Sequence, residues 1–337
     1  MNSFFAIAAF LVLASLSPRT AAQKNLPVAV FKPGGTSFYR IHFKIDRDIK
    51  TKSALSLPDS PTEANIDFQG IVQVEVLPPD ASASPGAIRL RTWLLTLAGD
   101  LSNLSRDAKP GDGKTQRVPS EGKFIDCALE HTGEIDQITG LDALVPEQQQ
   151  AWREWAARFA APFLVESENR KRGEKWSAEE LETLPSPIAD LRWQKRSQYV
   201  RDEPCAPLKF TPAGDFEQSS VSEPCALILT TSSLLQKSSP QDSTPADYKQ
   251  RGLRTRGSAK GANEIILYIS RKTGQLIRST QKASQQMDVL IALADGTTRV
   301  HYDIHAKADS AVELISDLPL ILQPSPPKPG AAQRPPH

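Results

Sequence analysis

Histidine and aspartate alternate along His301-Tyr302-Asp303-Ile304-His305, the spacing in this chain that comes nearest to a catalytic or metal-ligating group. On a strand, side chains two apart share a face, so His301, Asp303 and His305 would project together. A rise of about 3.3 Å per residue sets the two imidazoles ~13 Å apart, too far to hold one ion between them. Asp303 with a single histidine could make half of an acid/base or metal pair, and the remaining groups would have to come from elsewhere. The interleaved Val300, Tyr302, Ile304 and Ala306 are apolar, so a half-solvated strand accounts for the pattern without any chemistry.

The three cysteines are the next candidates. Asp202-Glu203-Pro204-Cys205 and Ser222-Glu223-Pro224-Cys225 share a Glu-Pro-Cys triplet on either side of a loop. An oxidising compartment would allow a Cys205–Cys225 disulfide, stabilising the fold by about 3 kcal/mol in the chain-entropy model. Cys127 lies on the apolar side of an alternating segment and reads as an inert buried thiol. With no Cys-x-x-Cys or Cys/His cluster, no metal site or other cofactor is expected. The chain lacks Gly-x-Ser-x-Gly, His-Glu-x-x-His, a Walker loop and a dinucleotide fingerprint, which lowers the expectation of an enzyme. Lys249, Arg251, Arg254, Arg256 and Lys260 form a basic stretch without aromatic or glycine architecture, so a solvated loop from Gln236 to Ala262 is expected there. A net charge of +1 gives no reason to expect nucleic acid as a partner.

The compartment follows from the N-terminus. Phe4 to Leu16 is an uncharged apolar run of 13 residues, too short to span a bilayer comfortably. Ser17-Pro18 and the small-x-small step Thr20-Ala21-Ala22 follow it, the pattern of a cleaved leader that leaves Gln23 as the first mature residue. Met1-Asn2-Ser3 departs from that pattern by carrying no Lys or Arg. The expectation is an exported protein, periplasmic or extracellular, with no transmembrane span.

The elements that would position these residues read mainly as strands. Tyr39, Ile41, Phe43 and Ile45 alternate with Arg40, His42, Lys44 and Asp46, the signature of a half-buried antiparallel strand. Ile66 to Val76 and Ile88 to Leu97 continue the theme, as do Leu191 to Arg201 and Ala226 to Leu235. A four-strand meander is expected from Ile265–Arg271, Gln275–Gln281, Met287–Leu293 and Thr298–Ala306, with Ala294-Asp295-Gly296 as a strong hairpin turn. Between these sets the period changes. Trp152, Trp155, Phe159 and Phe163 fall on one stripe of an amphipathic helix that would begin near Pro146 and cover the sheet. Ser177-Ala178-Glu179-Glu180 has the form of a capping box opening a short helix. Residues 324–337 are a Pro-rich tail with too little apolar content to pack.

Phe124–Thr139 overlays Ile265–Thr280 without a gap, matching Thr132 to Thr273, Gly133 to Gly274, Ile135 to Leu276 and Thr139 to Thr280. Both segments read as hairpins with a Thr-Gly turn. With the leader, the paired hairpins and the Gly-x-x-Trp step Gly173-Glu174-Lys175-Trp176, the chain resembles exported bacterial β-rich proteins that have no assigned activity. That resemblance carries no functional residues with it. A looser similarity is to lipoprotein-carrier-like folds, in which a curved antiparallel sheet closes over helices and holds a lipid.

These readings combine into one expectation. The chain is mainly β (α+β), an antiparallel sheet of two related halves that could curve into a half-barrel, with one long amphipathic helix between them. Residues 1–22 would be the leader, 23–165 the first half with the helix, 166–323 the second half and 324–337 the tail. The favoured function is a non-enzymatic binding or scaffold protein of the cell envelope, with a lipid or an envelope protein as partner. The first alternative is a carrier of an apolar ligand held between sheet and helix at Trp152, Trp155 and Phe159. The second is a hydrolase using the face of His301, Asp303 and His305.

Overall fold

Alternation along Tyr39–Ile45 does produce a strand, and it sits at the middle of one large sheet. The computed structural model describes residues 34–53, 61–78, 88–105, 114–117, 124–129, 135–142, 170–182, 186–296 and 299–318. The first six strands are β1 (Thr36–Ser53), β2 (Pro61–Val76), β3 (Ile88–Ser105), β4 (Lys114–Arg117), β5 (Phe124–Leu129) and β6 (Ile135–Thr139). Then come β7 (Lys175–Leu181), β8 (Leu191–Cys205), β9 (Leu208–Phe210), β10 (Phe216–Gln218) and β11 (Glu223–Gln236). One turn of helix, α1 (Ala246–Gln250), precedes β12 (Leu253–Ser270), β13 (Leu276–Leu293) and β14 (Arg299–Asp317).

The main path across the sheet is β6-β5-β3-β2-β1-β14-β13-β12-β11-β8-β7, with β4 beside β3 and the small β9–β10 hairpin at the end of β14. Every pairing is antiparallel except β9 with β14. The earliest and latest strands meet at the centre, where β1 and β14 pair from Phe38↔Ile315 to Ser53↔Val300. The open edges are β6 and β7, which flank the middle of the sequence.

Registers line up so that whole rows of side chains cross the strands on one face. Ile41, Val312, Ser279, Leu267, Ile228 and Tyr199 form one row from β1 to β8. This row belongs to an apolar cluster that continues through Val72, Val74, Leu90, Leu94, Ile125 and Cys127 on the other side. At the far end of the same face, Leu234, Met287 and Val289 pack with Ile188 and Leu191 into a second cluster, against which Trp193, Tyr302 and Ile304 lie. Burying a face of this kind is the main stabilising term, at roughly 25 cal/mol per Å² of apolar area.

Four expectations are corrected. The fold is not α+β: among the described residues α1 is the only helix, and it is five residues long. The expected helix over 146–161 lies outside the described residues. Nor are there two related halves, because the β5–β6 hairpin forms one edge of the sheet whereas the matching β12–β13 hairpin is interior. Both segments are paired ribbons, but an edge ribbon and an interior ribbon have different neighbours to satisfy. The half-barrel is replaced by an open sheet with two free ends in the strand order. Finally, the expected C-terminal four-strand meander is three longer strands, since β13 runs unbroken from Leu276 to Leu293 across polar Gln281–Gln286.

Local propensity also lost to pairing at two smaller places. Ser177–Glu180 is strand, not helix, because β7 ladders onto β8 from Lys175↔Gln198 to Leu181↔Arg192. The basic stretch is not one long loop, since β12 begins at Leu253 and carries Arg254, Arg256 and Lys260. The remaining connection is held down by Thr244, whose hydroxyl accepts from the Thr255 amide at 3.0 Å and donates to Asp242 at 2.8 Å. At its entry the Gln236 side chain stands in for backbone, donating to the Gly257 carbonyl and accepting from the Ala259 amide, each at 3.0 Å.

Candidate functional site

His301, Asp303 and His305 lie on the outward face of β14, across from the core-facing Tyr302 and Ile304. His301 Nε2 is 3.0 Å from Asp288 Oδ2 on β13, and His305 Nε2 is 3.0 Å from Asp303 Oδ1. Asp288 and Asp303 are direct cross-strand partners, and each has a histidine beside it. All four side chains are partly or largely exposed. Among the described residues no group of three or more His, Cys, Asp and Glu could hold a metal ion. The third sequence candidate, Trp152 with Trp155 and Phe159, lies outside the described residues.

Cys205 and Cys225 form a disulfide with their Cα atoms 5.8 Å apart. It ties the end of β8 to the start of β11, where Cys225 already faces Glu203 across the ladder. A disulfide fits an oxidising compartment. Cys127 is free and buried, and burial, then the neighbouring Asp126, pushes its thiol up to about 12. It is a core residue with no sign of reactivity.

Near the disulfide, Tyr199 is almost wholly buried and its hydroxyl donates to Asp202. Arg271 donates to the same hydroxyl at 3.0 Å and also faces Asp202. Desolvation, then the Asp202 hydrogen bond, raises the phenol well above its ordinary value. Gly173, at φ +85°, makes a left-handed turn that few other residues tolerate. That turn carries the chain into β7, where Trp176 packs on the core beneath the Arg170 guanidinium, 4.8 Å from its ring centre. These contacts tie β7, β8 and the turn after β12 together at one corner.

The inward face holds an arrangement that packing alone does not explain. Between its two apolar clusters the rows turn small and polar. One row reads Phe43, Ser310, Gln281, Ile265, Thr230, Ser197 and Trp176. The next reads Ile45, Ala308, Ala283, Asn263, Ser232, Lys195 and Ala178. Some of these groups satisfy one another: Ser197 and Thr230 hydroxyls are 2.8 Å apart, and Ser310 donates to Gln281 at 3.3 Å. Lys195 pairs with Glu180. Others do not. Ser232 Oγ and Asn263 Oδ1 in the belt, and Ser279 Oγ in the neighbouring apolar row, are buried and find no hydrogen-bond partner among the described residues. An unmet buried polar group costs about 1–3 kcal/mol, so the two in the belt call for an explanation. Ser197, Thr230, Asn263, Gln281, Ala283 and Ala308 remain partly exposed, so this part of the face is not closed core.

Sequence reasoning missed this belt. Along β13, Ser279, Gln281 and Gln285 face inward while Arg278, Lys282 and Asp288 face outward, so both faces read as polar. Only the registers of the neighbouring strands tell the two apart.

No protein-family model matches this chain, and no curated protein matches it. Among solved structures, OpdQ of Pseudomonas aeruginosa aligns over 84% of this chain and 99% of its own, at 8% identity and a TM-score of 0.18. A score of that size carries no argument about fold or function. No helix among the described residues is long and apolar enough to cross a membrane.

Proposed function

We propose that this chain is an exported, non-enzymatic binding protein of the cell envelope whose ligand seat is the inward polar belt. The observation that carries it is the pair of buried, unpartnered oxygens of Ser232 and Asn263 beside small, partly exposed side chains on the inward face. Native sheets rarely leave such groups unmet, and a bound molecule that supplies hydrogen bonds would remove the cost. Export is supported by the leader-like run at Phe4–Leu16 and by the Cys205–Cys225 disulfide. The outward face argues for an aqueous setting. It carries Arg40, Lys44, Asp46, Lys282, Lys307, Asp309 and Glu313, whereas a strand facing lipid presents an apolar band.

The carrier of an apolar ligand has less support. The apolar parts of the inward face are packed core, and the partly exposed positions between them are mainly polar or alanine. The hydrolase reading has less still, because His301 and His305 are engaged with Asp288 and Asp303 on a charged outward surface.

Two measurements test the proposal. Cell fractionation with N-terminal sequencing should find the chain outside the cytoplasm and starting at Gln23. A thermal-shift screen should find ligands that raise the melting temperature of the natural chain but not of Ala283→Trp, which fills the belt. A protein retained in the cytoplasm overturns the export half. Ligands that shift both proteins equally overturn the belt as the seat.

A further inference from the structure

Resting on the binding reading above, we infer that the belt takes a neutral, linear carbohydrate. The inventory of groups is the first argument. Ser197, Thr230, Ser232, Ser310, Asn263 and Gln281 offer hydroxyls and an amide pair of donor and acceptor on one face. Each such group both donates and accepts, as do the hydroxyls of a sugar. Ser197 and Thr230 already satisfy each other and Ser310 donates to Gln281, so a lipid tail would leave the Ser232 and Asn263 oxygens unmet.

Charge is the second argument. Within the row from Ile45 to Ala178 the only charged side chain is Lys195, and Glu180 neutralises it. A phosphate or carboxylate ligand needs a surplus of cationic donors, usually guanidinium groups. Arg47 lies on the inward face too, but on β1, five strand spacings or about 24 Å from β8. It marks the far margin of the belt.

Shape is the third. Six adjacent strands, β8 to β1, contribute to the belt, so it is about 24 Å long and runs across the strands. Ala283, Ala306 and Ala308 keep its β13–β14 part shallow. Trp193 stands at the β8 margin with its ring edge over Gly261, where even a methyl group would lie 3.0 Å from it. Its indole Nε1 donates to Glu182 at 2.7 Å, which fixes the ring. A pyranose ring has an apolar C–H face as well as a polar rim, and a fixed aromatic beside hydroxyls and amides suits both.

The experiment is titration of the full chain by calorimetry with maltohexaose, cellohexaose and chitohexaose, and in parallel with hexagalacturonate and palmitate. One or more neutral hexasaccharides should bind, and affinity should fall about tenfold or more in Ser232→Val and in Asn263→Leu. The outward variant His305→Ala should keep its affinity. If Asn263→Leu does not fold, Ser232→Val and the obstructing Ala283→Val carry the same test. Binding of palmitate or hexagalacturonate in place of the neutral sugars, with the same loss in Ser232→Val, overturns the carbohydrate inference and leaves the binding reading standing. Sugar binding unaffected by Ser232→Val and Ala283→Val overturns the belt as its seat. Absence of any binding overturns both.

Discussion

Phe43 and Lys44 are neighbours in the chain and belong to one ladder, yet the first is fully buried and the second faces water near Asp46. The same division runs along β1, β14 and β13, and the polar groups on the two sides behave differently. Outward, they pair with one another: Arg40 with Glu313 at 2.6 Å, His42 with Asp67 at 3.1 Å, His301 with Asp288 at 3.0 Å. Water and salt screen these contacts, so each contributes little. Inward, polar groups are fewer and some are unmet, and low local dielectric makes each omission costly. Polar residue type alone therefore says little about role; the face does.

The comparison breaks most visibly at adjacent positions. Phe43→Ala should lower unfolding stability by about 3–5 kcal/mol, because its whole side chain is removed from packed core. His42→Ala, one residue away, should stay within about 0.5 kcal/mol. Urea denaturation of the two variants checks this, and similar losses for both would mean that β1 does not separate two faces.

A sharper contrast concerns polar groups only. Ser279→Ala should be neutral or stabilising by up to about 1 kcal/mol, since it removes a buried hydroxyl that has no partner. Arg40→Ala should instead cost under about 1 kcal/mol, as expected for an ion pair whose arginine is 37% exposed. The two signs should differ in thermal melts at low salt. The Arg40 effect should shrink as salt is added, and the Ser279 effect should not.

This contrast also shows what was legible in the sequence. The β1 strand was readable because Tyr39, Ile41, Phe43 and Ile45 are large and apolar on one side only. The Cys205–Cys225 bridge was readable from the repeated Glu-Pro-Cys triplet, and the structure joins those two residues. The length of β13 was not, because Ser279 to Gln286 has no apolar alternation and is held as strand by β12 on one side and β14 on the other. For the same reason the belt was invisible: it is assembled from Ser232, Asn263, Ala283 and Ala308 on four strands, and no single segment carries its pattern. The apparent repeat misled because a Thr-Gly turn specifies a local ribbon and says nothing about which strands lie beside it.

A modest effect at neutral pH is expected at Tyr199, where the inward face meets the disulfide corner. Its phenol is held above its ordinary value by burial and by Asp202, while the Arg271 charge pulls the other way. A raised folded value means that the stabilisation is fully present below the ordinary tyrosine range, about pH 10, and is lost as pH rises beyond it. Tyr199→Phe should therefore lose under about 1 kcal/mol at pH 7, since Asp202 and Arg271 still face each other at 3.8 Å. Above pH 10 the natural chain should lose stability with pH more steeply than the variant, so the two curves converge. Tyr39, buried and raised in the same direction, is present in both proteins and cancels from the difference. Parallel curves from pH 8 to pH 11 would show that the Tyr199 hydroxyl is no more shielded than one on the outward face.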